Sequence, residues 1–346
     1  MQLSIFSHKT ELVRNSTYSE YSTWPISMRW RLTIFIAAIL LLLSCAQQTP
    51  KEQPVVRAAP PKPVAAPVKA KNVVILISDD IPAYSSVAKS LAEKLGVRAS
   101  LRYLNASQAE NLKLISEYQN DDHYQIVAIG LRAAVAAKSL SKRQVIFCQV
   151  FNYHDYALLT PRHKGVSMVP SPSHIFTIWH ALAPHITDVG LISGPGLEDL
   201  IQIAKTAAEH NGITLHTEIV HSDIEYQYAY KKMAASVQGY LLMPDNRVLS
   251  GNTLRNVMTF SIRNSKQVEV FSEELLKLGG LFSADSDYKE IAHQVFDRLK
   301  VAQAKDTVPG ADIDYVTKLK LRINAVMAKR LNLYVPKAYR NYLYEP

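Results

Sequence analysis

Short apolar runs that recur at strand length, each followed by a stretch with helical period, constrain this chain most. VVILIS from Val73 is apolar without interruption, and similar runs occupy 97–104, 124–130 and 144–150. Helical patterns lie between them over 81–95, 107–118 and 132–140, the second opening with Ser107 and Glu110 in a capping-box spacing. Continuous apolar strands are buried on both faces, so βαβαβαβ predicts a parallel sheet covered by helices on each side. After an extended link over 165–168 a second series begins. It has a helix opening at Ser171-Pro172, strands over 188–193, 213–220, 239–243 and 268–271, and helices over 197–210, 225–235 and 248–264. The last third reads as an extended 280–285, a helix over 288–304, a strand over 316–323 and a short helix over 325–331. The expected class is α/β, with two doubly wound parallel-sheet lobes.

The N-terminal apolar run, from Leu32 to Leu43, is too short for the roughly 20 residues of a membrane span. Arg29 and Arg31 precede it, and Ser44 and Cys45 close it. That order predicts a secretory signal over 1–44. Leu42-Leu43-Ser44-Cys45 resembles the bacterial lipobox, which implies lipidation of Cys45 and cleavage before it. Residues 1–27 are polar and long for a signal, so Met28 is the expected start. The segment 45–71, rich in Pro, Ala and Lys, reads as an extended tether. Ala46 after the lipid cysteine, in place of aspartate, favours the outer membrane, with the inner membrane as the alternative.

The formal charge is +9, but it is spread out and lacks the dense basic stripe of a nucleic-acid binder. Of the two cysteines, Cys148 sits in an apolar run and reads as a small core residue. His174, His180 and His185 do not share a helical face, and neither metal-ligand spacings nor a nucleophile elbow occurs. The sequence therefore suggests no cofactor, no metal and no catalytic set.

In open α/β sheets ligands bind beyond the carboxyl ends of the strands. This directs attention to Ser78-Asp79-Asp80 and Tyr84, to Gly130-Leu131-Arg132, and to Asn152-Tyr153-His154. In the second series the corresponding loops are Ser193-Gly194-Pro195-Gly196, Pro244-Asp245-Asn246 and Ser272-Glu273. Ser193 to Gly196 suits either a tight turn or an anion-binding loop. Asp245 and Asn246 suit either helix capping or the ammonium and carboxylate of a ligand.

Five stretches carry a family resemblance: YQIVAIGLRAAVAAKS from Tyr124, GVSMVPSPSHIFTIWHALAPHITDVGLISGPG from Gly165, GYLLMPDNRVLSGNTLRNVM from Gly239, LGGLFSADSDYKEIAHQVFDRL from Leu278 and LRINAVMAKRLNLYVP from Leu321. Together the chain resembles the substrate-binding lipoproteins of ABC importers, in the group that includes tryptophan- and tyrosine-binding members. The resemblance implies a type I periplasmic-binding fold with a ligand cleft between the lobes. Carried over position by position, lobe I supplies Asp79, Asp80, Tyr84 and Gly130, and the crossing supplies Ser167, Ser171 and Pro172. Lobe II supplies Ser193, Gly194, Asp245 and Asn246, and the return segment Ser272, Glu273 and Asp285. Expected boundaries are lobe I over 72–165, lobe II over 166–272, a return to lobe I over 273–310, and a C-terminal strand and helix on lobe II over 311–346. Leu131-Arg132 departs from the family's small Thr-Pro, and Asn152-Tyr153-His154 from its Asn/Asp-Pro pair. The implied role is a monomeric, non-enzymatic periplasmic protein that binds a small polar ligand, an aromatic amino acid for example, for an ABC permease and ATPase. The alternative is a periplasmic sensor or scaffold for a membrane partner.

Overall fold

The computed structural model describes residues 70–303 and 305–346. The signal, Cys45, the Met28 start and all but the end of the tether lie outside the described residues. Among the described residues no helix is long and apolar enough to cross a membrane.

Lobe I is built on a six-stranded parallel sheet. Its strands are β1 (Asn72–Ile77), β2 (Ala99–Tyr103), β3 (Tyr124–Ile129), β4 (Val145–Cys148), β5 (His163–Pro170) and β11 (Ile313–Val316), in the order β11-β5-β4-β3-β1-β2. β1 shows why the continuous apolar run forms a central strand. Val73, Ile75 and Ile77 face one core together with α1 (Pro82–Leu95) and α8 (Tyr288–Ala302). Val74 and Leu76 face the other core, with α2 (Gln108–Ser116) and α3 (Leu131–Ala137). Each such buried side chain contributes about 1.5–3 kcal/mol of transfer free energy.

Lobe II carries β6 (Asp188–Ser193), β7 (Thr214–Ile219), β8 (Gly239–Leu241), β9 (Gln267–Val270), β10 (Phe282–Ser286), β12 (Leu319–Asn324) and β13 (Leu343–Tyr344). The order is β13-β12-β10-β9-β8-β6-β7, with only the β10–β12 pair antiparallel. Helices α4 (Pro172–Leu182) and α5 (Glu198–Glu209) cover one face. On the other face are α6 (Asp223–Met233) and α7 (Gly251–Arg263). Trp179 of α4, fully buried, donates its indole N–H to Gln267 of β9 at 2.8 Å. Helix α9 (Ala325–Arg330) follows β12.

The chain crosses between lobes after Pro170, after Ser286 and between Val316 and Leu319. Three boundaries therefore differ from the sequence reading. The supposed link over 165–168 is part of strand β5, which pairs with β4 and β11, so lobe I runs on to Pro170. Phe282–Ser286 pairs with β9 and β12 in lobe II, so the return begins at Asp287 and not at 273. The single strand expected over 316–323 is two strands in different sheets, parted at the exposed Thr317 and Lys318, so 311–316 still belongs to lobe I. Arg298 of α8 fastens that late strand. It donates to Gly165 O at 2.6 Å, bonds the Ala311 carbonyl and pairs with Asp314 at 2.7 Å.

Candidate functional site

In sheet I the strand order reverses at β1, between β2 and β3, which places a switch-point crevice beyond β1 and β3. Asp79 follows β1, and Gly130 joins β3 to α3 with φ +84°. Glycine is required there twice over. Its φ is positive, and a Cβ would stand 2.6 Å from the Tyr84 ring and 2.7 Å from Ser78 Oγ. Ser78 Oγ instead accepts from Ala133 N at 2.9 Å, fixing the start of α3. Arg132, one residue earlier, donates to Ser78 O at 2.6 Å and to Asp79 at 2.8 Å. Asp79, Tyr84, Leu131, Arg132, Gln108 and Asn111 line a crevice of about 450 Å³, within the usual size of small-molecule sites. Its far wall is stiff, because Asn111 bonds the backbone of Asn105 through both ends of its amide, at 2.9 and 3.0 Å. The Asp79–Arg132 pair is 47% and 40% exposed, so its mutual attraction is worth at most about 1 kcal/mol and an incoming charged group can replace either partner.

The corresponding point of sheet II lies between β6 and β8 and holds Ser193, Gly194 and Asp245. Asp245 is buried, and its carboxylate is fully engaged. It accepts from Gly194 N at 2.8 Å and from Arg247 Nε and Nη2 at 2.7 Å each. The carboxylate, for which the residues leave helix capping and a ligand ammonium both open, is therefore taken by a residue two positions on. The clue in the sequence was a long cation inside the Pro244-Asp245-Asn246-Arg247 loop. Hydrogen bonding to Asp245 raises the Arg247 pKa further above its ordinary value.

The remaining expected positions scatter. Asp80 is exposed and accepts from Ser85 Oγ at 2.6 Å. Ser167 is buried in β5 and accepts from Val169 N at 3.1 Å, and Ser171 and Pro172 open α4. Ser193 Oγ is buried without a partner, and Asn246 is exposed. Ser272 bonds Glu274, and Glu273 pairs with Lys320 at 3.0 Å and Arg322 at 3.4 Å. Asp285 accepts from Glu273 N at 3.0 Å, and burial pushes its carboxyl up to about 7.

Sequence reasoning also missed Glu269. It is 1% exposed at the edge of a small void of about 50 Å³ between the end of β5 and the ends of β8 to β10. Burial, and then Asp285 nearby, hold its carboxyl well above the ordinary range. A lone acid inside the apolar run VEVF was its only trace in the sequence. Cys148 is fully buried, which pushes its thiol up to about 12 and removes it as a nucleophile at neutral pH. No cluster of three metal-binding side chains occurs among the described residues.

Residues 82–340 match the family model of ABC transporter substrate binding proteins. The chain belongs to that family. Solved structures agree on the fold. The ABC domain of Streptococcus pneumonia in complex with L-Trp is 18% identical, with a TM-score of 0.56 over 80% of this chain and 100% of that one. A ligand-free, open substrate-binding protein with adhesive properties from Clostridium difficile is 16% identical, with a TM-score of 0.59 over 80% of this chain and 99% of that one. A conserved domain protein of Vibrio cholerae is 19% identical, with a TM-score of 0.54 over 80% and 99%. A comparison with curated proteins finds no match. At these identities the neighbours establish the type I periplasmic-binding fold of this family member, and its ligand has to be argued from its own residues.

Proposed function

We propose that this family member is a lipid-anchored periplasmic binding protein, without catalytic activity, that takes a small polar ligand for an ABC permease and ATPase. The anchor is a lipid on Cys45, the tether carries the body off the membrane, and the chain works as a monomer. The ligand is a small carboxylic acid with an apolar body, and an aromatic amino acid is the member of that class to test first. One observation supports the reading above the others: the lobe I crevice sets a guanidinium and a carboxylate, Arg132 and Asp79, side by side at the rim of apolar walls. A zwitterion placed there exchanges the internal pair for two charge-assisted contacts, while Tyr84 and Leu131 cover its apolar part.

The test is thermal shift and calorimetry with L-tryptophan, L-tyrosine, tryptamine and indole-3-propionate. A binder at a hundred times its Kd stabilises the folded chain by about 2.7 kcal/mol. The carboxylates should bind and tryptamine should not. Arg132→Ala should weaken binding about 10- to 100-fold, the equivalent of one charged hydrogen-bonding group. The reading fails if no member of the panel stabilises the protein, or if Arg132→Ala leaves the affinity of a binder intact.

A further inference from the structure

The switch-point crevice of lobe II is occupied by the chain itself. Asp245, 2% exposed, has both oxygens bonded within its own lobe, and the guanidinium of Arg247 lies against it in a fork-on-carboxylate geometry. The fit is tight around Gly194, where a Cβ would stand 2.9 Å from Asp245 Oδ2 and 3.0 Å from Arg247 Nη2. The remaining nitrogen, Nη1, reaches across the seam. It donates to Pro195 O at 2.8 Å and to Asp155 at 2.6 Å.

Asp155 belongs to the arm over 149–162 that leaves the end of β4 in lobe I. Three further observations show that this arm is held against lobe II. Phe151 is buried within the lobe II core cluster, beside residues of α4. His154 Nε2 stands 3.4 Å from Asp199 of α5. A Cβ on Gly196 would lie 2.9 Å from Asp155 Oδ1 and 3.7 Å from His154 Cβ. The arm also carries Gln149 at φ +58° and Ala157 at φ +45°, conformations that non-glycine residues keep only where surrounding contacts over-determine them.

We propose that Arg247 is a resident occupant of the lobe II crevice. It satisfies Asp245 where a ligand cation would otherwise sit, and it ties lobe II to the 149–162 arm of lobe I when no ligand is present. Closure then draws on the chain's own ion pair beside the Phe151 and His154 contacts, and opening requires the Arg247–Asp155 contact to break with them while Arg247–Asp245 stays. An arginine suits this role and a lysine does not. The planar fork engages Asp245 through two nitrogens and still has a third for Asp155. The proposal concerns the ligand-free chain and holds or fails independently of which ligand, if any, the lobe I crevice takes.

The test measures the distance between spin labels at Lys113→Cys on α2 and Lys231→Cys on α6, both exposed positions in different lobes. It uses the full ligand-free chain with Cys45→Ser, since Cys148 is buried and unreactive. The parent should give one short, narrow distribution. Arg247→Ala and Asp155→Asn should each move part of the population to longer distances. Asp155→Asn guards against misfolding, because it leaves Asp245, Gly194 and Arg247 joined. Methylguanidinium chloride should return Arg247→Ala to the short distance by filling the emptied crevice, and should leave Asp155→Asn unchanged. The proposal is overturned if all three proteins share one distribution, or if methylguanidinium does no more than matched potassium chloride.

Discussion

Asp285→Asn should flatten the pH dependence of stability in the neutral range. Asp285 lies near the end of β10 beside Glu273 and Glu274, with Lys320 opposite, and burial is the largest influence on its carboxyl. Its pKa is raised from an ordinary 3.8 to about 7. A carboxyl whose proton is held more tightly in the folded state stabilises the fold below the unfolded pKa. That contribution disappears as pH rises from about 4 through 7, because the unfolded chain gives up the proton first. At about 1.4 kcal/mol per tenfold change in proton affinity, the full difference is about 4 kcal/mol, and partial solvent access trims it to about 2–4 kcal/mol. Asparagine keeps an oxygen to accept from Glu273 N, at 3.0 Å in the parent, and does not titrate. Urea melts of both proteins at half-unit steps from pH 4.5 to 8.5 give two curves of stability against pH. Their difference should grow in favour of the variant up to about pH 7 and then level off. Parallel curves would refute the assignment of a proton to Asp285 at neutral pH. Glu269 is held up first by burial and second by Asp285, so both proteins are also compared in a Glu269→Gln background, which removes its titration from the difference.

Two further outcomes are expected. Gly130→Ala should destabilise the chain by more than about 2 kcal/mol, combining a positive φ with the overlap on Tyr84, and Tyr84→Ala in the same chain should recover part of the loss in a thermal melt. Cys45→Ser should abolish incorporation of labelled palmitate and move the protein from the membrane fraction to the soluble periplasmic fraction, since stable anchoring takes more than one acyl chain.

The class of fold and most of the elements were legible because burial on both faces leaves a mark that needs no partner to read. VVILIS at Val73 is apolar along its whole length, whichever strands flank it. Boundaries were less legible where polarity and pairing disagree. His163 and Lys164 open a strand that looks like a loop by composition, and the two sheets meet at Val316 to Leu319 without a glycine or proline to mark the change. The lobe I positions Asp79 and Tyr84 do converge on one crevice, with Gly130 packed behind the Tyr84 ring, because β1 and β3 end side by side and α1 starts there. For Asp245 the residues leave helix capping and a ligand ammonium open, and its carboxylate is bonded to Gly194 N and Arg247. Its state depends on which rotamer a neighbouring arginine adopts, and residue spacing carries no such information. Glu269 was missed for the opposite reason: a pleated strand buried on both faces gives no sign of which side a single acid will face.

The three crossings also decide when the first strands can be completed. Edge strand β11 and helix α8, which packs beside α1 over β4 and β5, follow all but the last two strands of lobe II in the chain. The face that α1 covers over β1 therefore stays open over β4 and β5 until α8, more than a hundred residues later, is available, and contacts of that span assemble slowly. A copy still lacking its last third can finish neither lobe, so both sheets are completed together and late.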